Sequence, residues 1–197
     1  MFTGIVENIG RVEKIIQENQ NIHVTVRCAF TNELKVDQSV LHNGICLTVV
    51  SVEGDTYTVT AIKETIDVTT VGAWVQGQEL NLERAMLMNG RLDGHIVQGH
   101  VDHIGTCVSI EAAGGSTYYG FEYNQKSQHV TIEKGSITID GTSLTVVDSG
   151  SNTFKVAIIP YTQEHTIFKN YQIGTLVNLE FDVVGKYVTK LVALGRL

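Results

Sequence analysis

Several residue types are scarce in this chain of 197 residues, and each scarcity excludes a class of protein. The chain has three cysteines, Cys28, Cys46 and Cys107, an odd number without C-x-x-C spacing. We therefore expect neither a disulfide framework nor a thiolate zinc site. No apolar run approaches the length of a membrane span, and the first residues lack the cationic start and apolar segment of a secretion signal. The sequence predicts a cytoplasmic protein without membrane attachment.

Positive charge is also scarce. The 14 Lys and Arg residues are scattered and outnumbered by 21 Asp and Glu, which gives a net charge of -7. Nucleic acid needs a basic stripe, so it is not expected as a partner, and an anionic membrane surface is disfavoured. Of the seven histidines, only His95, His100 and His103 lie close together, on a segment without helical periodicity. We therefore expect no metal site.

The chain contains a long internal repeat. The string SVLHNGICLTVV at residues 39–50 returns 97 positions later as SITIDGTSLTVV at residues 136–147, with six of the twelve positions identical. The match continues without a gap to NLE at residues 81–83 and at residues 178–180. This period is far too long for a solenoid. It indicates two domains of one kind, each of about 90 residues.

Short β-branched runs separated by turn residues predict an antiparallel all-β fold, for example at residues 11–16, 23–28 and 56–61. Strands this short, with many edges to hide, favour closed barrels. In the repeated string, Cys46 and Thr48 share one face of a strand, and Ser143 and Thr145 repeat the pattern. A solvated outer face would explain one such strand. Finding the same small polar pair twice favours a ligand-facing surface.

The two copies differ in their first strands and are followed by a tail. GIVENIG at residues 4–10 aligns with GHVDHIG at residues 99–105, only 95 positions on, so the second copy holds two extra residues, which we expect in the loop at residues 112–116. Residues 87–97 bridge the copies, with Asn89-Gly90 as the turn. Apolar pairs between Val183 and Val192 recur at helical spacing and predict a terminal helix. Such a short helix needs a partner surface, either its own barrel or another subunit.

These strings, taken in order, resemble riboflavin synthase over the whole chain. They are MFTGIVE, NGICLTVV, KET near the sixth strand, NLERA, GHIVQGHVD, KGSITIDGTSLTVV and IPYTQEHT. The resemblance implies two tandem six-stranded Greek-key β-barrels, at residues 1–97 and 98–182, and a C-terminal α-helix, at residues 183–197, that assembles a homotrimer. Association with lumazine synthase is a further implied possibility.

The resemblance also implies a reaction. Members of this family dismutate two molecules of 6,7-dimethyl-8-ribityllumazine by moving a four-carbon unit between them, giving riboflavin and 5-amino-6-ribitylaminouracil without a cofactor. Each barrel would bind one lumazine, and the active site would pair the N-terminal barrel of one subunit with the C-terminal barrel of another.

Residue types that could serve this chemistry are present at the matching positions. The reaction needs a base, a thiol or hydroxyl, and donors for ring carbonyls. The predicted catalytic residues are Ser39, Cys46, His100, Asp140, Ser143 and Thr145. The substrate contacts implied by the resemblance are Gly4, Ile5, Val6, Cys46, Leu47, Thr48, Thr60, Ala61, Ile62, Lys63, Glu64, Thr65, Gly99, His100, Val101, Lys134, Ser143, Leu144, Thr145, Ile159, Pro160, Tyr161, Thr162, Gln163 and Glu164.

Several of these residues have a simpler interpretation. Cys46 could be a small buried apolar residue, His100 a surface histidine, and Asp140 a turn former beside Gly141. His95 is interpreted as structural. The family pattern is broken by Ile66-Asp67-Val68, where a basic pair is common, and by Gln163, which replaces a leucine.

Two other functions compete with the synthase. Lumazine-carrying antenna proteins resemble it but bind one chromophore and do no chemistry. They lose the polar residues of one barrel, which this chain retains. A flavin-binding reductase barrel would need a Gly-rich strand-to-helix turn, which the sequence lacks.

Overall fold

The computed structural model describes residues 1–124 and 128–196, and within them the chain forms two closed antiparallel barrels of six strands each. The strands of the first barrel are β1 (Asn8–Glu18), β2 (Asn21–Arg27), β3 (Ser39–His42), β4 (Ile45–Glu53), β5 (Thr56–Ala61) and β6 (Glu79–Arg84). Those of the second barrel are β7 (His103–Ala113), β8 (Ser116–Glu122), β9 (Ser136–Ile139), β10 (Thr142–Ser149), β11 (Thr153–Ile158) and β12 (Leu176–Phe181).

Each barrel has Greek-key topology. In the first barrel β3, β4 and β5 follow one another as paired neighbours, and β6 returns after a longer connection to lie beside β3. The second barrel repeats this order with β9 to β12. The predicted all-β fold of two tandem six-stranded barrels is confirmed.

In the described part of the chain the barrels are accompanied by helices α1 (Lys63–Val68), α2 (Pro160–His165) and α3 (Val183–Ala193). Single 3-10 turns span Thr31–Glu33, Thr70–Ala73 and Ile167–Asn170. Pro160 takes the first position of α2, where its missing N–H leaves no helical hydrogen bond unmade. The placement of the KET string near the sixth strand was wrong, since Lys63 begins α1 and the sixth strand is β6. A helix of six residues is too short for its periodicity to be recognised.

Bulges at matching positions bend the strands so that each sheet can close. The pairing register shifts between Val12 and Lys14 in β1 and between Cys107 and Ser109 in β7. Equivalent shifts occur between residues 49 and 51 in β4 and between residues 146 and 148 in β10. An extra residue on one strand increases local twist and curvature, which a small barrel requires. The interiors are packed with β-branched and aromatic side chains.

The two extra residues of the second copy lie elsewhere than predicted. Both first hairpins close with two-residue turns, Asn19-Gln20 and Gly114-Gly115, because all but Gln20 adopt positive φ angles that permit a tight turn. Ala112 and Ala113 continue β7 rather than forming a loop. The additional length falls between β8 and β9, in residues 123–135, which correspond to residues 28–38 of the first copy.

The barrels contact each other through equivalent elements. The turn Asn43-Gly44 packs against its counterpart Asp140-Gly141, so closely that a Cβ on Gly44 would lie 2.8 Å from the Gly141 nitrogen. Asn81 and Asn178 bridge the barrels reciprocally: the Asn81 amide donates to the Asp140 carbonyl, and the Asn178 amide donates to the Asn43 carbonyl, each at 2.9 Å.

The segment between the barrels turns where the sequence predicted. The Gly90 N–H donates to the Leu87 carbonyl at 2.9 Å and closes the turn that contains Asn89. Further along, Val97 pairs with Phe2 in an isolated antiparallel bridge between the starts of the two copies. The longest helix within residues 1–124 and 128–196 falls short of what a membrane span requires.

Candidate functional site

The segment leading into each barrel lies on the other barrel. The Gly4 carbonyl accepts a hydrogen bond from the Ser143 N–H of β10 at 2.7 Å, and the Gly99 carbonyl accepts one from the Cys46 N–H of β4 at 2.9 Å. Both glycines have φ near +80°, and a Cβ would lie 2.6 Å from Ser143 Cβ or 2.5 Å from Cys46 Cβ. Only glycine fits at these close approaches. Val101, just past the second glycine, packs on the core of the first barrel.

A cavity of about 520 Å³ lies where the first segment meets the second barrel. Eight of its lining residues are predicted substrate contacts: Gly4, Ile5, Val6, Ser143, Leu144, Tyr161, Thr162 and Glu164. The sequence interpretation missed six others: Glu7, Asn8, Ile9, Thr142, His165 and Thr166. Residues far apart in the sequence thus line one cavity large enough for a small heterocycle.

Ser143 is held by a histidine that the sequence interpretation left as structural. His95 Nδ1 lies 2.7 Å from Ser143 Oγ, and its Nε2 lies 3.2 Å from Thr138 Oγ1. Burial lowers the pKa of the His95 imidazole, so the neutral form is favoured near pH 7. A neutral imidazole can accept the proton of a serine hydroxyl. The sequence offered one signal, since the pair Gly94-His95 recurs as Gly99-His100. The contact of His95 with Ser143, however, joins residues 48 positions apart.

Cys46 of the first barrel is equivalent to Ser143 of the second barrel. It is half-buried, and burial raises the pKa of its thiol, although a hydrogen bond with Ser39 partly offsets the rise. The thiol form is therefore favoured near pH 7. Thr48 lies on the same face and is exposed, as is Thr145 in the second barrel, whereas Leu47 is buried. His100 is exposed beside this strand, one residue after Gly99.

The remaining predicted contacts flank α1 and α2, which occupy equivalent places in the two copies. Around α1, Ile62, Lys63 and Glu64 are exposed, Thr65 is half-buried and Ala61 is buried. Thr60 Oγ1 lies 2.9 Å from His23 Nδ1. Ile159, Pro160, Tyr161 and Glu164 are exposed around α2, and Tyr161 stacks on His165 at 4.1 Å between ring centroids.

The two departures from the family pattern both make local contacts. Lys63 Nζ donates to both carboxylate oxygens of Asp67, at 2.8 and 2.7 Å. Gln163 Oε1 accepts from the Thr117 hydroxyl at 3.3 Å. Asp67 thus balances the charge of a predicted contact residue, Lys63.

Asp140 and Lys134 are among the predicted residues that do not line this cavity. Asp140 is buried in the turn between β9 and β10, where its carboxylate accepts from the Tyr171 hydroxyl at 2.5 Å and from the Asn178 N–H at 2.8 Å. Burial raises its pKa to about 7. Both partners belong to the second repeat, so the carboxylate stabilises the turn that packs on the first barrel, and it does not line the cavity. Lys134 is exposed before β9 and does not line it either.

Two larger cavities lie elsewhere. One of about 810 Å³ runs between the barrels along Trp74 and Tyr171, and of the predicted site residues only Asp140 lines it. Another, of about 790 Å³, includes Ser39 and Ile5 at its wall. The smaller cavity at Ser143 is the candidate site, because nine of its 14 lining residues come from the crossed segment at residues 4–9 and from β10, and because it holds more of the predicted contacts than either larger cavity.

Fold and site together define a class: two related barrels in one chain, each with a polar strand face closed by a segment from the other repeat. Residues 3–85 and 98–182 each match the lumazine binding domain family. The chain is 42% identical to riboflavin synthase of Actinobacillus pleuropneumoniae over 189 residues, covering 95% of this chain and 88% of that protein. It is 37% identical to riboflavin synthase of Bacillus subtilis (strain 168), with the same coverage. The chain belongs to the riboflavin synthase family.

The fold also matches solved structures of LumP. The crystal structure of LumP complexed with riboflavin superposes with a TM-score of 0.84, at 22% identity, covering 92% of this chain and 100% of that one. The structure of LumP complexed with 6,7-dimethyl-8-(1'-D-ribityl) lumazine gives a TM-score of 0.83, at 20% identity. At this identity the similarity concerns the fold alone.

Proposed function

We propose that this protein is a riboflavin synthase, a transferase that converts two molecules of 6,7-dimethyl-8-ribityllumazine into riboflavin and 5-amino-6-ribitylaminouracil. The observation that carries the proposal is the duplicated site. In both barrels a small nucleophilic side chain, Cys46 or Ser143, stands at the same strand position beside a crossed glycine. The reaction consumes two copies of one substrate, and two related sites supply the places for them.

The chemistry matches the residues available. One lumazine gives up four carbon atoms and the other gains them, so the equation balances without an oxidant, a reductant or a metal. Holding both rings in contact turns a bimolecular encounter into an oriented one, which lowers the barrier by several kcal/mol. A ring methyl must lose a proton and a nucleophile must add to the partner ring, which requires a base and a hydroxyl or thiol.

We assign the two halves of this chemistry to the two barrels. Ser143 has a neutral base within reach, since His95 Nδ1 lies 2.7 Å from its hydroxyl. Cys46 has Ser39 as its hydrogen-bond partner and His100 nearby in the crossed segment. Thr48 and Thr145 add exposed hydroxyls on the same strand faces. These roles, and the substrate contacts predicted around α1 and α2, are part of the proposal.

We further propose a homotrimer assembled through α3. None of the described residues of this helix is buried, and its apolar stripe is open: Val184 is 61% exposed, Tyr187 70%, Val188 46% and Val192 58%. Contiguous exposed apolar surface on a short helix favours a protein interface. Asp182 caps the helix, and Lys186 contacts Asp102, so the stripe is held in a fixed position. Association with lumazine synthase and the cytoplasmic location remain predictions.

The test is to incubate the purified protein with 6,7-dimethyl-8-ribityllumazine and follow the riboflavin absorption and fluorescence. We expect riboflavin to form with one equivalent of 5-amino-6-ribitylaminouracil for each riboflavin, and the lumazine to disappear at twice that rate. Tight stoichiometric binding without product would contradict the proposal and support a lumazine-carrying antenna protein instead.

A further inference from the structure

Two buried carboxylates stand at equivalent places in the two barrels and belong to no part of the proposed chemistry. Glu83 lies near the end of β6 and Glu180 near the end of β12, with exposed fractions of 4% and 2%. Carboxylates are rarely buried this far unless their charge is compensated. Both belong to the repeated NLE string.

Backbone N–H groups compensate both carboxylates. Glu83 accepts from the Thr3 N–H at 2.6 Å, from the Thr3 hydroxyl at 2.8 Å and from the Gly4 N–H at 2.9 Å. Glu180 accepts from the N–H groups of Gln98, Gly99 and His100 at 2.7, 2.8 and 3.0 Å. Each carboxylate uses both oxygens to hold a short segment in one conformation. Hydrogen bonds to a charged acceptor are the stronger kind.

The held segments are those that cross to the other barrel. Glu83 belongs to the first barrel and holds Gly4, whose carbonyl accepts from Ser143 of the second barrel. Glu180 belongs to the second barrel and holds Gly99 and His100, which lie beside Cys46 of the first barrel. Each carboxylate therefore orders a segment that lies on the polar strand of the other barrel.

We propose that Glu83 and Glu180 are positioning residues that act crosswise: Glu83 shapes the site at Ser143, and Glu180 shapes the site at Cys46 and His100. The proposal rests on the lumazine-binding function proposed above. A glutamine keeps the size of the side chain but turns one acceptor oxygen into an N–H donor. It must then face a backbone N–H donor, so the segment loses at least one of its hydrogen bonds.

Because each carboxylate holds a segment on the other barrel, the two variants should affect different sites, and ligand binding at each site can be measured separately. Glu83→Gln and Glu180→Gln are made in the full-length protein, with Glu79→Gln as the matched control. Glu79 lies on the same strand as Glu83, but its carboxylate contacts Asn170 and Lys169 instead of a crossed segment. Each ¹⁵N-labelled protein is titrated with riboflavin, the product of the proposed reaction, because the lumazine substrate would be consumed during the measurement. The amide signals of Cys46 and Ser143 then report on the two sites separately.

We expect Glu180→Gln to raise the apparent Kd reported by the Cys46 amide about tenfold or more. The apparent Kd reported by the Ser143 amide should stay unchanged. Glu83→Gln should do the reverse, and Glu79→Gln should match the wild type. Where a glutamine variant does not fold, the aspartate variant, which keeps the charge and shortens the reach, should show the same crossed loss in weaker form. The proposal would be overturned if each variant lost affinity at the site of the barrel that carries the substitution, or if both sites lost affinity equally. A wild-type protein with no response at either amide would instead contradict the proposed function.

Discussion

At the scale of single residues, the two sites are related by descent yet differ in their proton chemistry. Cys46 and Ser143 occupy the same position, but the cysteine has a hydroxyl neighbour, Ser39, and the serine has an imidazole, His95. Burial favours the neutral forms of both the thiol and the imidazole. Near pH 7 the thiol and the imidazole are therefore both expected in their neutral forms.

The first prediction concerns the residues of the first-barrel site. Cys46→Ala and His100→Ala should each slow riboflavin formation by roughly a hundred- to ten-thousand-fold, because a positioned proton-transfer group contributes about that much. Cys28→Ala is the matched control, since Cys28 is another half-buried thiol on the first barrel that hydrogen-bonds Thr31 away from this site. Turnover is measured by stopped-flow absorption, and folding by circular dichroism. Near wild-type rates in both variants would remove these residues from the mechanism.

The second prediction uses the buried Asp140. Its pKa is about 7 in the folded protein and about 3.8 without the fold, because burial disfavours the charged carboxylate. The folded chain therefore binds one more proton between these values than the unfolded chain. The contribution of Asp140 to the free energy of unfolding is greatest below about pH 4 and is lost as the pH rises to about 7.

Asparagine at this position should remove that dependence. The equivalent residue of the first barrel is Asn43, which adopts the same left-handed turn with a φ of 46° and accepts from Asn81 N–H at 2.7 Å. As the pH rises from about 5 to about 7, we expect the melting temperature of Asp140→Asn to fall less than that of the wild type in scanning calorimetry. Asp37→Asn, at an exposed aspartate, is the control. Parallel pH curves for the wild type and Asp140→Asn would show that the carboxyl stays ionised when buried.

At the scale of elements, local chemistry explains what the sequence could predict. Strands β3 and β4 are joined by Asn43-Gly44, a pair that favours a tight hairpin turn, and Asp140-Gly141 joins β9 and β10 in the same conformation. Helices α1 and α2 were not predicted, because one and a half turns carry no readable periodicity. The 3-10 turn that follows α1 makes a long-range contact, in which the Thr70 N–H donates to Asn178 Oδ1.

The site was only partly predictable for the same reason. Alternation along one strand identified Cys46 and Ser143, since that pattern is local. The contact of Gly4 with Ser143 joins residues 139 positions apart, and no periodicity in the sequence encodes it. His95 and the buried pair Glu83 and Glu180 gain their roles from such crossings, so their residue types alone indicated nothing specific.

The third prediction belongs to helix α3. Deleting residues 183–197 should turn a trimer into monomers that still bind the lumazine but convert it slowly, because the deletion removes the exposed apolar stripe and leaves both barrels complete. Sedimentation velocity measures the oligomeric state. Tyr187→Asp places a charge in the stripe and should have the same effect, whereas Lys190→Ala, at an exposed cation of the helix, should not. An unchanged sedimentation coefficient after truncation would show that the helix is not the assembly element.

At the scale of the whole molecule, duplication creates a geometric requirement. Each chain carries two related candidate sites, at Cys46 and at Ser143, and the proposed reaction needs two lumazine rings in contact. The described contacts between the barrels include the turns at Asn43 and Asp140 and the crossed segments. A cyclic assembly would let the first barrel of one subunit face the second barrel of its neighbour, so that three identical active sites form between subunits.

The fourth prediction tests this arrangement by mixing two inactive proteins. Cys46→Ala damages the first-barrel site, and Ser143→Ala damages the second-barrel site. The two are unfolded together and refolded in equal amounts. With random placement in a ring, about a quarter of the interfaces join an undamaged first barrel from one variant to an undamaged second barrel from the other. Riboflavin formation should then recover well above the level of either variant alone. No single chain carries an undamaged pair of sites. Native mass spectrometry establishes whether the mixture has exchanged subunits. If it has, and the mixture is still no more active than either variant alone, the active site lies within one chain.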